Sequence, residues 1–145
     1  MKPLDNIDFY IKATWHSIVR MYNKRAAKYG ISQTIGYVLL NVNKKGSPAT
    51  QIAPLLGMEP TSLSRLLKNM EQMGLIKREP DDTDKRIVRI FLTEKGLEKR
   101  KLAKNEVFAF NDKVRETIDN EKLSIFIEVM EEINFIAQKD IEAQL

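Results

Sequence analysis

The stretch Ile52-Ala-Pro-Leu-Leu-Gly-Met-Glu-Pro-Thr-Ser-Leu-Ser-Arg-Leu66 decides how the rest of this 145-residue chain is read. Two short segments with helical apolar spacing flank a turn at Gly57–Pro60. Ala53, small, lets a second helix approach closely. Gly57, four residues on, suits a left-handed backbone at the turn. Ile52, Leu63 and Leu66 supply apolar contacts between the two segments, so the pattern is that of a helix-turn-helix. Its second helix, expected over 61–73, opens Thr61-Ser62-Leu63-Ser64-Arg65 and continues to Lys68 and Asn69. Short hydroxyls and helix N-terminal amides suit phosphate oxygens, and the N-terminal half of such a helix is the part that reaches base edges. Arg65 has the fork to bond a guanine bidentately, whereas Lys68 suits a phosphate. Thr61 and Ser62 also suit a helix cap, and a hydroxyl has capacity for both uses.

Downstream, Gly74 stops the helix. Leu75–Glu79 and Arg86–Leu92 read as strands, the second alternating Val88, Ile90 and Leu92 against Ile87, Arg89 and Phe91. The polar run Pro80–Lys85 joins them, so 75–92 is expected to be a hairpin wing. A wing tip laid along a minor groove needs a cation on a stalk. Arg86 meets that need, Lys85 stands beside it, and Asp84 is placed to hold the guanidinium by hydrogen bonds. Asp81 and Asp82 are left pointing to solvent.

These residues resemble the MarR family of bacterial regulators. The resemblance is carried by Leu63-Ser-Arg-Leu-Leu-Lys-Asn-Met-Glu-Gln-Met-Gly-Leu-Ile-Lys-Arg78, and by a D-x-R-x-x-x-x-x-L-T signature at Asp84, Arg86, Leu92 and Thr93. It implies a mainly α (α+β) fold: a winged helix-turn-helix with N- and C-terminal dimerisation helices. It also implies a homodimer reading a pseudo-palindromic double-stranded DNA operator, with half-sites about one helical turn, roughly 10 bp, apart. The implied function is a sequence-specific transcriptional regulator, a repressor, released by a small aromatic or phenolic effector. By position, Arg86 would enter the minor groove with Asp84 steadying it, and Thr61, Ser62, Ser64, Arg65 and Lys68 would face the major groove. Pro54 stands where the family usually has a polar or charged residue, so the resemblance does not extend to phosphate contacts by the first helix of the motif.

The flanks are helical. Ile7–Lys28 repeats apolar residues at Ile7, Ile11, Trp15, Ile18 and Tyr22, with Asp5 or Asn6 as cap and Gly30 beyond the end. Its apolar stripe is wide enough to be covered on two sides. Ser32 is placed to cap a helix to Asn43. Ser47-Pro48 resembles a cap with a first-turn proline for a short helix 49–56, which Pro54 should tighten or kink. Thr93 is placed to cap a helix to Ile118, and Asp119-Asn120 to open the last one, 121–143. There Leu123, Phe126, Met130, Ile133, Ala137 and Ile141 form a seam, with Ile127 and Ile136 beside it, read as a self-association surface. The whole, 1–145, is expected to be one compact regulator: a DNA-binding lobe at 32–93, and dimerisation helices at 5–30 and 94–145.

Charge is unevenly spread. Residues 1–43 carry six Lys/Arg against two Asp/Glu, residues 44–101 thirteen against eight, and residues 102–145 five against ten. A basic front and middle suggests a polyanion partner. The chain has no cysteine and one histidine, so disulfides, thiolate metal sites and cysteine nucleophiles are excluded, and no nucleophile–base pair or metal set emerges. Neither a metal nor another cofactor is expected, nor is an enzyme. No apolar run or N-terminal leader suggests a membrane or export, so a cytoplasmic protein is expected. The rival reading is a winged-helix protein-interaction module that does not read DNA, whose recognition face should be apolar or acidic. Trp15, His16 and Arg20 on the first helix are candidates for binding the effector, as an aromatic wall with a cation.

Overall fold

Four of the helix starts are capped by a nearby side chain. In the computed structural model, which describes residues 6–144, α1 (Ile7–Ala26) begins where the Asn6 side chain accepts from the Phe9 amide at 3.2 Å. Asp5 and Leu145, the ends given above to the dimerisation helices, lie outside the described residues. A 3-10 turn at Ala27–Tyr29 follows α1 and ends at Gly30, whose φ of 72° is the left-handed conformation expected there. Ser32 caps α2 (Gln33–Asn41) by accepting from the Ile35 amide, and Asn23 of α1 accepts from the Gln33 amide at 2.8 Å. Thr93 caps α5 (Glu94–Thr117) through the Gly96 amide, and Asp119 caps α6 (Asn120–Ala143) through the Glu121 amide.

Ser47-Pro48 differs from expectation. It is not a side-chain cap but a two-residue strand, β1 (Ser47–Pro48), and the following α3 (Ala49–Leu56) starts without a side-chain cap. The Ser47 hydroxyl instead accepts from the Asn43 amide at 2.8 Å. β1 pairs antiparallel with β3 (Val88–Leu92), which pairs with β2 (Ile76–Pro80), giving the sheet order β1-β3-β2. Pro54 neither ends nor shortens α3, which runs on to Leu56 and stops at the left-handed Gly57. α4 (Pro60–Gln72) opens with a proline in its first turn, one residue earlier than expected.

The core is built where α2, α3, α4 and the sheet meet. Val38, Leu39, Val42, Ile52, Met70, Leu75, Ile76 and Ile90 are fully buried there, joined by Leu63 and Leu67. Each such side chain contributes about 1.5–3 kcal/mol on leaving water. α5 is fastened to this lobe at several points. Arg100 donates to the Val42 carbonyl at 3.1 Å and Lys95 to the Met73 carbonyl at 2.9 Å. Glu106 accepts from the Tyr29 hydroxyl at 2.7 Å, with Arg25 and Lys28 beside it. The tightest approach is at Gly96, where a Cβ would lie 2.1 Å from the Leu75 carbonyl oxygen. That oxygen already accepts from the Thr93 amide, so it is not free to retreat. Gly96→Ala is therefore expected to destabilise by about 1–3 kcal/mol, the overpacking range, despite alanine's better helix propensity. A thermal melt at or above wild type would contradict it.

The chain divides into two compact units, residues 1–106 and 107–145, where the short loops alone suggest one. The second holds the end of α5 and all of α6. Within this chain neither α1 nor α6 has a fully buried residue. Leu123, Met130 and Ile133 of the expected seam are half-buried, while Phe126, Ile127, Ile136 and Ile141 are exposed. Ile125, Val129 and Phe135, outside that seam, are exposed as well.

Candidate nucleic-acid interface

The apolar residues of α4 and its polar ones occupy opposite stripes. Leu63, Leu67 and Met70, three or four apart, face the core. Thr61, Ser62, Ser64, Arg65, Lys68 and Asn69 are all exposed. Glu59 is the N-cap position and makes no side-chain cap bond, and α4 has none from Thr61 or Ser62 either. The cap reading of those two hydroxyls therefore does not hold, and their capacity is unspent on the helix. The far end of α4 is pinned to the wing. Arg78 of β2 donates Nη2 to Glu71 Oε1 at 2.9 Å and Nε to Oε2 at 3.4 Å. The Arg78 guanidinium holds the Glu71 carboxyl below its ordinary range. α3 contributes less. Pro54 and Leu55 are exposed, and neither side chain offers a donor to a phosphate.

The wing loop, residues 81–87, projects between β2 and β3. Arg86 lies in this loop and not in β3, which begins at Val88. Its side chain is 92% exposed, and one partner directs it. Asp84 Oδ1 accepts from Arg86 Nε at 3.1 Å and Oδ2 from Nη2 at 3.1 Å, while Oδ1 also accepts from the Arg86 amide at 3.1 Å. A two-point clamp of this kind fixes direction as well as charge. The guanidinium depresses the Asp84 carboxyl, and that carboxylate raises Arg86 in turn. Lys85 is exposed beside them.

Asp81 corrects the sequence reading. Only Asp82 of the acidic pair is exposed; Asp81 is buried and accepts from the Thr83 amide and hydroxyl, the Asp84 amide and the Arg89 Nε. The Arg89 bond first, then the Thr83 hydroxyl and the two amides, hold the Asp81 carboxyl well below the usual carboxylate range. Its folded value thus lies below the unfolded one, about 3.9, and the stabilisation is fully present above that pH. It is lost only as pH falls through the lower, folded value. Protection of the Thr83 and Asp84 amides from hydrogen exchange should therefore persist at pH about 4, where a free aspartate is half protonated. Loss of that protection between pH about 5 and 4 would contradict the assignment.

The remaining sequence candidates, Trp15, His16 and Arg20, are exposed along α1. Arg20 donates to the Ser17 hydroxyl at 3.3 Å, and Trp15 and His16 point from adjacent positions. Among the described residues no group of three or more His, Cys, Asp or Glu is arranged to hold a metal ion, and no helix is long and apolar enough to cross a membrane.

The sequence profile of the MarR family matches residues 40–88, which run from the end of α2 to the start of β3. Among curated proteins the chain is 33% identical over 89 residues to the HTH-type transcriptional regulator TtmR of Methylorubrum extorquens (strain PA1), covering 61% of this chain and 46% of that protein. It is 32% identical over 79 residues to the transcriptional repressor MprA of Escherichia coli (strain K12), covering 52% of this chain and 45% of that one. The matched stretch thus spans just under half the length of these relatives. Among solved structures, the S. aureus MepR–DNA complex superposes with a TM-score of 0.83 at 18% identity, covering 90% of this chain and 97% of that one. At that identity the likeness concerns the fold, a winged helix.

Proposed function

We propose that this chain, a member of the MarR family through residues 40–88, is a sequence-specific DNA-binding transcriptional regulator that works as a homodimer. The observation that carries this is the exposed wing arginine, Arg86, clamped at two points by Asp84. A cation held stiffly at the end of a projecting loop suits the narrow, electronegative minor groove. The exposed face of α4 adds the second reading element. Arg65 would reach base edges, Lys68 phosphate, and Thr61, Ser62 and Ser64 backbone oxygens. An interaction module without DNA would call for an apolar or acidic face there, and the cations of α4 argue against it.

The finer reading follows from symmetry and relatives. Two copies related by a two-fold axis would set two recognition helices on one face of a pseudo-palindromic operator, about 10 bp apart. The repressor MprA supports repression as the mode, and the DNA in the MepR complex supports DNA as the partner, taken here as the double-stranded operator. α1 and α6, neither of which has a fully buried residue within one chain, would be the dimerisation elements. A small aromatic or phenolic effector is proposed to bind near Trp15, His16 and Arg20 and release the DNA.

Genome-wide mapping of bound sites in the source cell tests the central reading. A recurring pseudo-palindrome is expected, and binding without sequence preference would count against it. Titrating salicylate-like compounds against the fluorescence of Trp15 tests the effector site. No change up to millimolar concentrations would remove that part alone.

A further inference from the structure

The wing holds a second ion pair that DNA contact does not use. Asp81 is 7% exposed, a position a carboxylate takes when its charge is met. Its oxygens divide between two directions. Oδ2 accepts from the Thr83 amide at 3.0 Å, the Thr83 hydroxyl at 2.7 Å and the Asp84 amide at 3.1 Å, gathering the loop. Oδ1 accepts from Arg89 Nε, and Arg89 Nη1 reaches the Gly46 carbonyl at 3.1 Å. Arg89 sits on β3 opposite Pro48 of β1 and Glu79 of β2. A continuous chain of bonds therefore runs from the turn after α2, across the sheet, to Asp84 and the Arg86 it clamps.

We propose that Arg89 and Asp81 are positioning residues for DNA recognition, fixing the wing loop and the direction of Arg86 relative to the helix-turn-helix. The inference rests on the DNA-binding reading above. Its physical basis is that the Asp84 clamp is only as rigid as the loop that carries Asp84. The strand ladder ends at Pro80 and Val88. Beyond it, two backbone bonds, between Asp81 and Ile87 and between Ile87 and Asp84, hold the loop together with the Asp81 carboxylate. If that carboxylate or its cation is removed, the loop regains freedom, and binding must then order it again. Neither residue has to touch DNA. Arg89 already directs donors to Asp81 and Gly46, and Asp81 is an anion that phosphate would repel.

A double-mutant cycle separates positioning from contact. The probe is a duplex selected by the wild-type protein from a random-sequence pool. Arg89→Ala should weaken binding about tenfold yet leave the salt dependence at its wild-type slope, because no phosphate-neutralising cation is lost. In an Arg86→Ala background the same change should cost less than about twofold, because the group being positioned is gone. Asp81→Asn, nearly isosteric, should reproduce both results and guards against a misfolded Arg89→Ala. In the free protein, either variant should speed amide exchange at Thr83 and Asp84 while leaving Leu39 and Met70 protected. Additive losses in the cycle, a lower salt slope for Arg89→Ala, or unchanged exchange in the wing would each overturn the proposal. Failure of the wild-type protein to select any duplex sinks the DNA reading and this proposal with it. Faster wing exchange with undiminished DNA affinity sinks this proposal alone.

Discussion

Arg86→Ala is expected to weaken specific DNA binding about 10- to 100-fold and to lower the slope of log affinity against log salt by about one unit. Two losses add here. The side chain is 92% exposed, so truncating it leaves no cavity and removes no packing, and protomer stability should stay within about 0.5 kcal/mol of wild type. What disappears is one cation and its direction. Asp84 compounds the loss, because its carboxylate, no longer neutralised by Arg86, then faces the nucleic acid unpaired. Arg65→Ala should look different in the same assay. A bidentate contact to a base carries about 1–3 kcal/mol of discrimination, so this variant should bind non-cognate duplexes nearly as well as its own. Wild-type affinity and slope for Arg86→Ala, measured by salt-titrated fluorescence anisotropy, would remove the wing from the interface.

How much of this was legible in the chain follows from how far apart the interacting residues lie. Asp84 and Arg86 are two residues apart, and their clamp is readable from spacing alone. So are the caps at Ser32, Thr93 and Asp119, whose bonds reach two or three residues. The stripe of α4 is likewise local, because helical spacing decides which residues share a face. Ser47-Pro48 was misread because a cap is decided by near neighbours and a strand by distant ones. Its partners Ile90 and Arg89 lie some forty positions on, and no local signal points to them. Asp81 was misread for the same reason in miniature. A carboxylate in a polar loop reads as solvated until a hairpin folds Arg89 back against it. The clearance at Gly96 is also invisible locally, since the obstructing atom belongs to Leu75. Trp15, His16 and Arg20 are all exposed along α1, and neither their spacing nor a single chain shows what would cover them.

Charging the uncovered face of α6 should have the larger effect on function. Ile125, Val129 and Ile136 recur at four and seven residues, so they form one stripe, and all three are exposed. In the proposed homodimer, apolar side chains so arranged on a long helix suit a surface that the second copy would cover. Ile125→Glu with Ile136→Glu removes two isoleucine burials from each protomer, four from a symmetric dimer. At about 1.5 kcal/mol or more each, the loss is about 6 kcal/mol, or roughly 10⁴-fold in the dimer dissociation constant. The new carboxylates would also stand near Glu128 and Glu132 on the same helix, and like charges add to the penalty. Because both isoleucines are exposed in the single chain, helix content should survive. The expected result is a folded monomer by light scattering at micromolar concentration. DNA affinity should fall by three or more orders of magnitude, to about the level of one half-site. The order of the two losses is itself informative. If dimerisation sets the spacing of the recognition helices, raising protein concentration until the variant dimerises should restore operator binding with the wild-type salt slope. A wild-type chain that is monomeric would remove the self-association reading, and a double variant that stays dimeric would place the surface off this stripe of α6.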